Sequence, residues 1–267
     1  MVKTLTRTRL WFEGYRARRM GRFGLELGAT LVLLVVVLLA STDFDKLPNM
    51  QAIEDTQLRK TTFFGHLEPI VAARNAMILE QRDELAALAQ NWQQEEGLSF
   101  LDRYRLKSLA GQYDVEWNDA QVGDVIAQLR QRIDAVPVSL VLVQAAKESG
   151  WGTSRFAREG NNLFGQWCYT RGCGIVPENR PSGARHEVRE FSTVADAIDA
   201  YLHNINTSDA YRSLREIRAR LRRAGKTPDG KSLADGLLYY SQRREAYVQE
   251  VKRMLDQYER FQRKQNG

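Results

Sequence analysis

The chain has 267 residues, of which 43% are hydrophobic and 27% are charged, so it is long enough for one large domain or two small ones with a substantial core. Its net charge of +6 resides in residues 1–24, where seven cations stand against one acid. The rest of the chain is electrically balanced. This excludes a nucleic-acid-binding domain, because such a domain carries its basic residues on the folded part.

An uncharged apolar run from Leu27 to Ala40 follows the basic tail. Counted from Phe23, it measures about 18 residues, close to the length that crosses a bilayer. The positive-inside rule keeps residues 1–24 in the cytoplasm and sends the chain after Ser41 across the membrane. We therefore predict a transmembrane signal anchor at residues 25–41. Cleavage of a signal peptide near Ala40 is the alternative.

The next part of the chain is predicted to be a polar linker at 42–57 followed by a helical region at 58–135. Apolar residues recur at three-to-four spacing over 58–96 and over 101–133, which indicates helices packed against a core. Pro69 is expected to break or kink the first of them. The second is interrupted near 113–116, and Asn118 and Asp119 are candidate caps for its last part.

A buried helix is predicted to begin at Pro137, which suits a first-turn position. Glu148 falls in its last turn, just before Gly150 and Gly152, with Trp151 nearby. Apolar neighbours and the C-terminal end of a helix both disfavour the ionised carboxylate and so raise its pKa. This makes Glu148 a candidate general acid. The alternative is a glutamate on a solvated helix face.

From Trp167 to Phe191 the sequence is rich in Gly, Pro and alternating residues, which predicts a loop and a β-hairpin lobe. Cys168 and Cys173 flank a glycine turn, and across a membrane such a pair predicts a disulfide. A zinc site is the alternative, although the three histidines show no ligand spacing.

The remainder of the chain is predicted to be helical, with Thr193 as a cap and a break at 225–230. Six arginines between Arg212 and Arg223 are expected to form a solvated helix face. Binding of acidic peptides or anionic lipid by these arginines is the alternative.

The chain contains two motifs, Glu148-Ser149-Gly150-Trp151-Gly152-Thr153-Ser154 and Asn161-Asn162-Leu163-Phe164-Gly165. They resemble motifs of the glucosaminidases of glycoside hydrolase family 73, which cut peptidoglycan. Further support for this resemblance comes from residues 188–193, 197–201, 239–241 and 247–248. The cysteine insert and the helical N-terminal region are similar to the Bax-type subgroup of Gram-negative bacteria. The resemblance implies a mainly α fold, with a lysozyme-like helical catalytic module at 136–267 carrying a small β-hairpin lobe.

The resemblance also implies peptidoglycan glycan strands as the partner and hydrolysis of a β-1,4 bond next to N-acetylglucosamine, with Glu148 as the acid. Glu187 is the candidate second carboxylate, with Glu178, Glu190 or the substrate's own N-acetyl group as alternatives. Tyr240 is the candidate polar group near the sugar. The residues expected to line the cleft are Trp151, Asn162, Phe164, Trp167 and Tyr201.

No metal or organic cofactor is expected. The predicted location is the bacterial inner membrane, with the catalytic domain in the periplasm, or secretion if the leader is cleaved. A muramidase or lytic transglycosylase acting on the same substrate is the alternative enzyme. A catalytically inactive wall-binding or scaffold protein is the alternative from another functional class.

Overall fold

The computed structural model describes residues 46–94 and 97–265. The predicted basic tail, the anchor at 25–41 and the start of the linker lie outside the described residues. Within the part that is described, no helix combines the length and the apolar run needed to cross a bilayer.

The first helix, α1 (Thr56–Gln94), is 39 residues long and continues through Pro69. Of the break or kink expected at this proline, the break is therefore absent. Proline removes one hydrogen bond from a helix, but apolar residues on both sides of it are anchored in one core. Phe64 and Leu67 precede it, Ile70 and Val71 follow it, and all four are buried.

Two hydrophobic clusters share α1. The first half of α1 packs into a large cluster, whereas Leu85, Leu88 and Ala89 in its second half belong to a smaller one. The smaller cluster is completed by α2 (Phe100–Gln112) and α3 (Val122–Arg132). The predicted helices of the N-terminal region and the interruption between α2 and α3 are thus confirmed.

The start of α3 differs from the prediction. Asn118 accepts a hydrogen bond from the Ala120 N–H group at 2.9 Å, which closes a turn ahead of the helix. The residue that caps α3 is Gln121, without a side-chain hydrogen bond. Asn118 therefore shapes the preceding turn, since an Asn side chain competes with helix formation in this way, whereas the Asp119 carboxylate pairs with Arg103.

The central helix, α4 (Val138–Ser149), begins directly after Pro137 and buries eight of its residues. It ends at Gly150, which adopts a φ of +58°, a left-handed conformation that glycine takes at little cost. Gly152 is left-handed as well, and a Cβ there would lie 2.2 Å from Leu47 Cδ2. The glycine turn that was predicted to end the helix is confirmed.

A three-stranded antiparallel sheet follows the short helix α5 (Arg155–Gly160). Its strands are β1 (Trp167–Cys168), β2 (Gly174–Ile175) and β3 (Glu187–Arg189), in the spatial order β1-β3-β2. Both outer strands pair with the central one, so that Trp167 and Ile175 lie opposite Val188. The small β lobe is confirmed, with one strand more than a hairpin.

Four helices complete the described part of the chain: α6 (Val194–Thr207), α7 (Arg212–Arg223), α8 (Gly230–Ala234) and α9 (Arg244–Gln265). Thr193 caps α6 through a reciprocal capping box with Asp196, as the sequence predicts for Thr193. The break between α7 and α8 is also confirmed. Single 3-10 turns lie at Met50–Ala52, Asp209–Tyr211 and Asp235–Leu237.

The arginines of α7 are not all on a solvated face, which corrects the prediction for Arg215 and Arg218. These side chains are only 4% and 1% exposed. Arg218 donates to backbone carbonyls at the end of α3, among them Gln131 O at 3.0 Å and Asp134 O at 2.9 Å. The unpaired carbonyls of a helix C-terminus attract such a donor, and this is why a charged residue is buried here.

Candidate active site

The glycine turn after α4 exposes one end of a buried helix, and Glu148 lies there. Its Oε1 atom is buried and has no hydrogen-bond partner among the described residues. Burial raises the pKa of the Glu148 carboxyl, the hydrogen bond with Tyr247 and the charge of Lys147 lower it, and the charge of Glu250 raises it. The net direction is upward, which is the direction that a general acid requires.

The rest of the motif shapes the turn that carries this carboxyl. Ser149 is buried, donates to Ala145 O at 2.6 Å and accepts from the Gly152 N–H group at 2.8 Å. Ser154 caps α5 by accepting from the Ala157 N–H group. These hydrogen bonds explain why serines stand beside the glycines of this motif.

Four tyrosines interact electrostatically with Glu148. Burial raises the pKa of each phenol, and the Glu148 charge adds to the rise, which takes the pKa of Tyr211 to about 12. All four are therefore neutral hydroxyls at neutral pH, able to donate and accept hydrogen bonds. They are Tyr201, Tyr211, Tyr240 and Tyr247.

A buried glutamine connects two of these tyrosines. The Gln144 side chain is fully buried and accepts a hydrogen bond from the Tyr201 hydroxyl through Oε1. Its Nε2 atom donates to the Tyr247 hydroxyl at 3.0 Å. Gln144 precedes Glu148 by one helical turn, so both side chains project from the same face of α4.

The predicted residues Tyr240, Phe164 and Tyr201 come together beside this network. The Tyr240 hydroxyl donates to Phe164 O at 3.0 Å, and its ring stacks on Tyr247 with 5.1 Å between centroids. The rings of Phe164 and Tyr201 stack at 4.0 Å. Phe164 and Tyr201 are 4% and 1% exposed, so their rings lie within the core.

The two asparagines of the second motif hold the loop that follows α5. Asn161 adopts a φ of +52° and donates to Phe191 O and Ser192 O. Asn162 donates to Gln166 O and Arg189 O, and its Oδ1 atom accepts from the Phe164 and Gln166 N–H groups. Both amide hydrogens of Asn162 are thus bound to backbone, which ties this loop to β3.

Trp151 lies against α1. Its ring makes edge contacts with Phe63 and Phe64, at 5.8 and 5.2 Å between centroids, and Lys60 Nζ lies 5.3 Å from its centroid. It lines a cavity of about 270 Å³ that also includes Met254. The indole therefore packs between α1 and α9, and the described contacts of the Glu148 site are made by tyrosines instead.

Trp167 is on the lobe and is the most open of the aromatic residues predicted to line the cleft. Its side chain is 57% exposed, and one face of its ring stacks on His186 at 4.3 Å. It lines a groove of about 960 Å³ between the lobe and α6, together with Gln166, Arg189, Asp196, Asp199 and His203. A partly exposed indole beside polar groups suits a ligand with both apolar and hydroxyl surfaces.

Glu187 is buried on β3, opposite Cys168. Its Oε1 accepts from the Gly172 N–H group at 3.1 Å and its Oε2 from the Gly174 N–H group at 3.0 Å. The first of these hydrogen bonds is the main reason that the pKa of Glu187 is lowered. Its carboxylate is thereby held by the loop within the lobe.

The same loop is closed by a disulfide between Cys168 and Cys173, with 6.2 Å between the Cα atoms. The predicted pairing is present. The sulfur atoms lie close to the Glu187 carboxylate, but a zinc ion requires thiolates, and the disulfide leaves none at this place.

The other candidate carboxylates are placed differently. Glu178 is paired with Arg155 at 3.0 Å, and Glu190 lines the groove beside Trp167. The carboxylate whose charge raises the pKa of Glu148 is that of Glu250. Hydrogen bonds from Lys147 and Arg243 lower the pKa of Glu250 to about 2.

Sequence reasoning missed Gln144 and gave Tyr247 only as part of a motif. The spacing of Gln144 from Glu148 could have identified Gln144 as a site residue. A polar side chain one turn before an acid in a buried helix needs hydrogen-bond partners, and few are available outside the site. Nothing local could indicate that the partner is Tyr247, which is 103 positions further along the chain.

Comparisons with known proteins identify relatives of this chain. The glucosaminidase family model, described as mannosyl-glycoprotein endo-beta-N-acetylglucosaminidase, matches residues 124–260. Protein bax of Escherichia coli (strain K12) is 33% identical over 207 residues, which cover 78% of this chain and 72% of that protein. No solved structure matches the chain. The family match begins inside α3 and contains Gln144, Glu148, the four tyrosines and the small sheet.

Proposed function

Because this chain belongs to the glucosaminidase family, glycoside hydrolase family 73, we propose that it hydrolyses a β-1,4 bond next to N-acetylglucosamine in peptidoglycan, with Glu148 as the general acid. Such a reaction needs a carboxylic acid that protonates the leaving oxygen and a group that stabilises the oxocarbenium-like centre. The observation that carries the proposal is the position of Glu148 at the end of α4, where burial raises its pKa and leaves Oε1 without a protein partner.

The arrangement around Glu148 also supports the lysozyme-like description of the catalytic module. A buried helix delivers one acid at its C-terminal end, and a small sheet follows in sequence. Tyr240 is proposed as a polar group near the sugar, since its hydroxyl fixes the loop of the second motif at Phe164 O. Trp167 is proposed to stack on a sugar ring from the lobe, because one face of its indole is covered by His186 and the side chain is mostly exposed.

Two sources are open for the stabilising group. Glu187 supplies an ionised carboxylate, but both of its oxygens already accept from loop N–H groups. The substrate's N-acetyl group supplies the alternative. We favour the N-acetyl group, because the carboxylate of Glu187 is already bound by N–H groups within the lobe. Asn162 is then proposed to hold the loop of the second motif in place, and Trp151 to hold the end of α4 against α1.

The location is part of the proposal. We propose that residues 25–41 hold the protein in the inner membrane and that the catalytic domain works in the periplasm, with signal cleavage and secretion as the alternative. The disulfide between Cys168 and Cys173 supports an oxidising compartment, because such bonds persist there and are rare in the cytosol.

The test is to incubate the full chain, purified in detergent, with cell-wall sacculi and to measure new reducing ends. We expect release by the wild type and a fall of at least about 100-fold in Glu148→Gln, since a general acid contributes that much or more. Glu84→Gln, which changes an exposed glutamate of α1, is the matched control and should retain full activity. Equal release by wild type and Glu148→Gln would remove Glu148 from the mechanism.

Mass spectrometry of the products separates the enzyme classes. Reducing N-acetylglucosamine ends are expected. Reducing muramic ends would indicate a muramidase, and anhydro-muramic ends a lytic transglycosylase. Binding to sacculi with no product of any kind would instead support a wall-binding protein.

A further inference from the structure

The cavity beside Trp151, between α1 and α9, has a volume of about 270 Å³ and is not used by the proposed hydrolysis. A dry apolar cavity of about 150 Å³ holds a benzene molecule, so this one has room for several methylene groups. Its lining has an apolar part and a polar part. The apolar part is formed by Phe64, Val143, Trp151, Met254, Tyr258 and Phe261.

The polar part of the lining carries positive charge and no negative charge. It consists of Gln57, Lys60, Gln257, Arg260 and Lys264. Among the residues that the structure describes, none of these three cations has an ion-pair partner. Lys60 Nζ instead lies 5.3 Å from the centroid of the Trp151 ring, within the range of a cation–π interaction.

The three cations lie together at one end of the cavity. Two hydrogen bonds show that α1 and α9 are antiparallel here, since Gln265 contacts Thr61 and Gln262 contacts Glu68. The start of α1, with Lys60, therefore meets the end of α9, with Lys264. The aromatic contacts follow further in, where the Phe64 ring packs on Tyr258 and Phe261.

The charges at this end repel one another. Arg260 and Lys264 are one turn apart on α9, a spacing at which like charges are unfavourable. The charge of Arg260 lowers the pKa of Asp256, but that carboxylate is already paired with Lys231 at 2.7 Å. An anionic group placed between the three cations would offset this repulsion. The cavity thus suits a ligand with an apolar chain and an anionic head.

The chain enters the described structure close to this cavity. Leu47 packs against Gly152, the residue next to Trp151. The anchor proposed at 25–41 ends five positions before Lys46, the first described residue, and five residues span at most about 18 Å. The bilayer that holds such an anchor is therefore a close source of a ligand with acyl chains and an anionic head.

We propose that this cavity binds an anionic phospholipid of the bilayer. Part of one acyl chain enters the aromatic end between α1 and α9, and the headgroup phosphate lies among Lys60, Arg260 and Lys264. The inference rests on the proposed membrane location and is independent of the reaction at Glu148. A lipid bound in this way would fix the orientation of the catalytic module at the membrane surface.

The first test follows the fluorescence of Trp151 in the full chain, reconstituted in phosphatidylcholine nanodiscs. Phosphatidylglycerol with brominated acyl chains is added in increasing mole fraction, because bromine quenches tryptophan only at contact. The difference between wild type and Trp151→Phe isolates the signal of this indole. We expect brominated phosphatidylglycerol to quench that signal and brominated phosphatidylcholine to leave it unchanged.

Each other outcome of this titration overturns the proposal. Equal quenching by both phospholipids would show that the head is not recognised by its charge, and no quenching by either would show that no acyl chain enters. Quenching by a brominated free fatty acid but not by brominated phosphatidylglycerol would identify a different occupant.

Arg260→Gln tests the cationic end of the cavity. The mole fraction of phosphatidylglycerol that gives half of the quenching should rise about fivefold, the factor that one cation contributes near an anionic lipid surface. The matched control is Arg253→Gln, which removes an exposed arginine of α9 outside the cavity lining and should leave the titration unchanged. Equal shifts in the two variants would mean that only net charge matters, which contradicts a built site.

A second measurement needs no variant, so it decides the matter even if Trp151→Phe does not fold. Phosphatidylglycerol with a diazirine in its acyl chain is activated by light, and the labelled residues are mapped by mass spectrometry. We expect labels on α1 and α9 around Phe64 and Phe261. Labels confined to 25–41 would support the anchor and overturn the cavity site. Labels in the cavity alone would refute the anchor and keep the site, and labels in neither place would refute both.

Discussion

The surroundings of Glu148 disfavour the ionised form of its carboxyl group. Burial and the charge of Glu250 raise its pKa, and one of its oxygens finds no donor among the described residues. Such a group costs the folded protein free energy whenever it is ionised. The same cost is useful in a proton donor, because it keeps the acid protonated closer to neutral pH.

This cost predicts that Glu148→Gln stabilises the protein at neutral pH. A raised folded-state pKa means that the contribution of Glu148 to stability is present below its unfolded value and lost as pH rises through the folded one. We expect Glu148→Gln to raise the free energy of unfolding by about 0.5–2 kcal/mol at pH 7, measured by urea denaturation.

The pH dependence checks the cause of that gain. The difference between wild type and Glu148→Gln should shrink as pH falls through the raised folded-state pKa of Glu148 and should be lost below about 4, because the wild-type carboxyl is then protonated in both states. A gain of the same size at all pH values would show that ionisation of Glu148 is not its source.

At the scale of elements, the small sheet is held by contacts within its own loop. Its strands have only two or three residues each, too few to be stable alone. The disulfide closes the loop between β1 and β2, and the buried Glu187 carboxylate accepts from the N–H groups of Gly172 and Gly174. Charged acceptors make stronger hydrogen bonds than neutral ones, so this carboxylate serves the lobe as an internal cap.

Glu187→Gln should therefore loosen the loop without unfolding the helices. We expect hydrogen exchange at the amides of Gly172 and Gly174 to become about tenfold faster, while amides in α4 exchange as before. Exchange followed by mass spectrometry or NMR measures both regions. Glu190→Gln, on the exposed residue just beyond β3, is the matched control, and equal rates in the two variants would contradict the capping role.

At the scale of the whole molecule, α7 connects the two hydrophobic clusters. Leu214 of α7 belongs to the large cluster, whereas Leu129 and Ile133 near the end of α3 belong to the small one. Between them, Arg218 donates to carbonyls of Gln131 and Asp134, and Arg222 pairs with the buried Asp134 carboxylate at 2.9 Å. The junction between the clusters is thus polar but satisfied, as buried charges must be.

Arg218→Met is predicted to destabilise the whole molecule. It removes a buried cation and leaves backbone carbonyls at the end of α3 without a donor, a type of loss that costs about 3–5 kcal/mol. Chemical denaturation should show a lower midpoint with an unchanged slope. Arg220→Met alters an exposed arginine of the same helix and should cost no more than about 0.5 kcal/mol; similar losses in the two variants would show that burial of Arg218 is not the reason.

Much of the fold could be predicted because it depends on neighbouring residues. The end of α4 follows from Gly150, which accepts a left-handed conformation, and so does the placement of Glu148 in the last turn. The disulfide joins cysteines only five positions apart, and the cap at Thr193 acts over three residues. Pro69 shows the limit of local rules, since packing on both sides of it outweighs the lost hydrogen bond.

The surroundings of Glu148 were decided by the tertiary structure. Proximity in sequence selects Trp151, but in the structure its indole packs against Phe63 and Phe64 of α1. The tyrosines come instead from distant helices: Gln144 meets Tyr201 and Tyr247 across 57 and 103 positions, and Arg218 meets the Asp134 carbonyl across 84. Sequence periodicity shows which residues are buried, but the partner that each buried polar group finds depends on how the helices pack, and no local pattern contains that information.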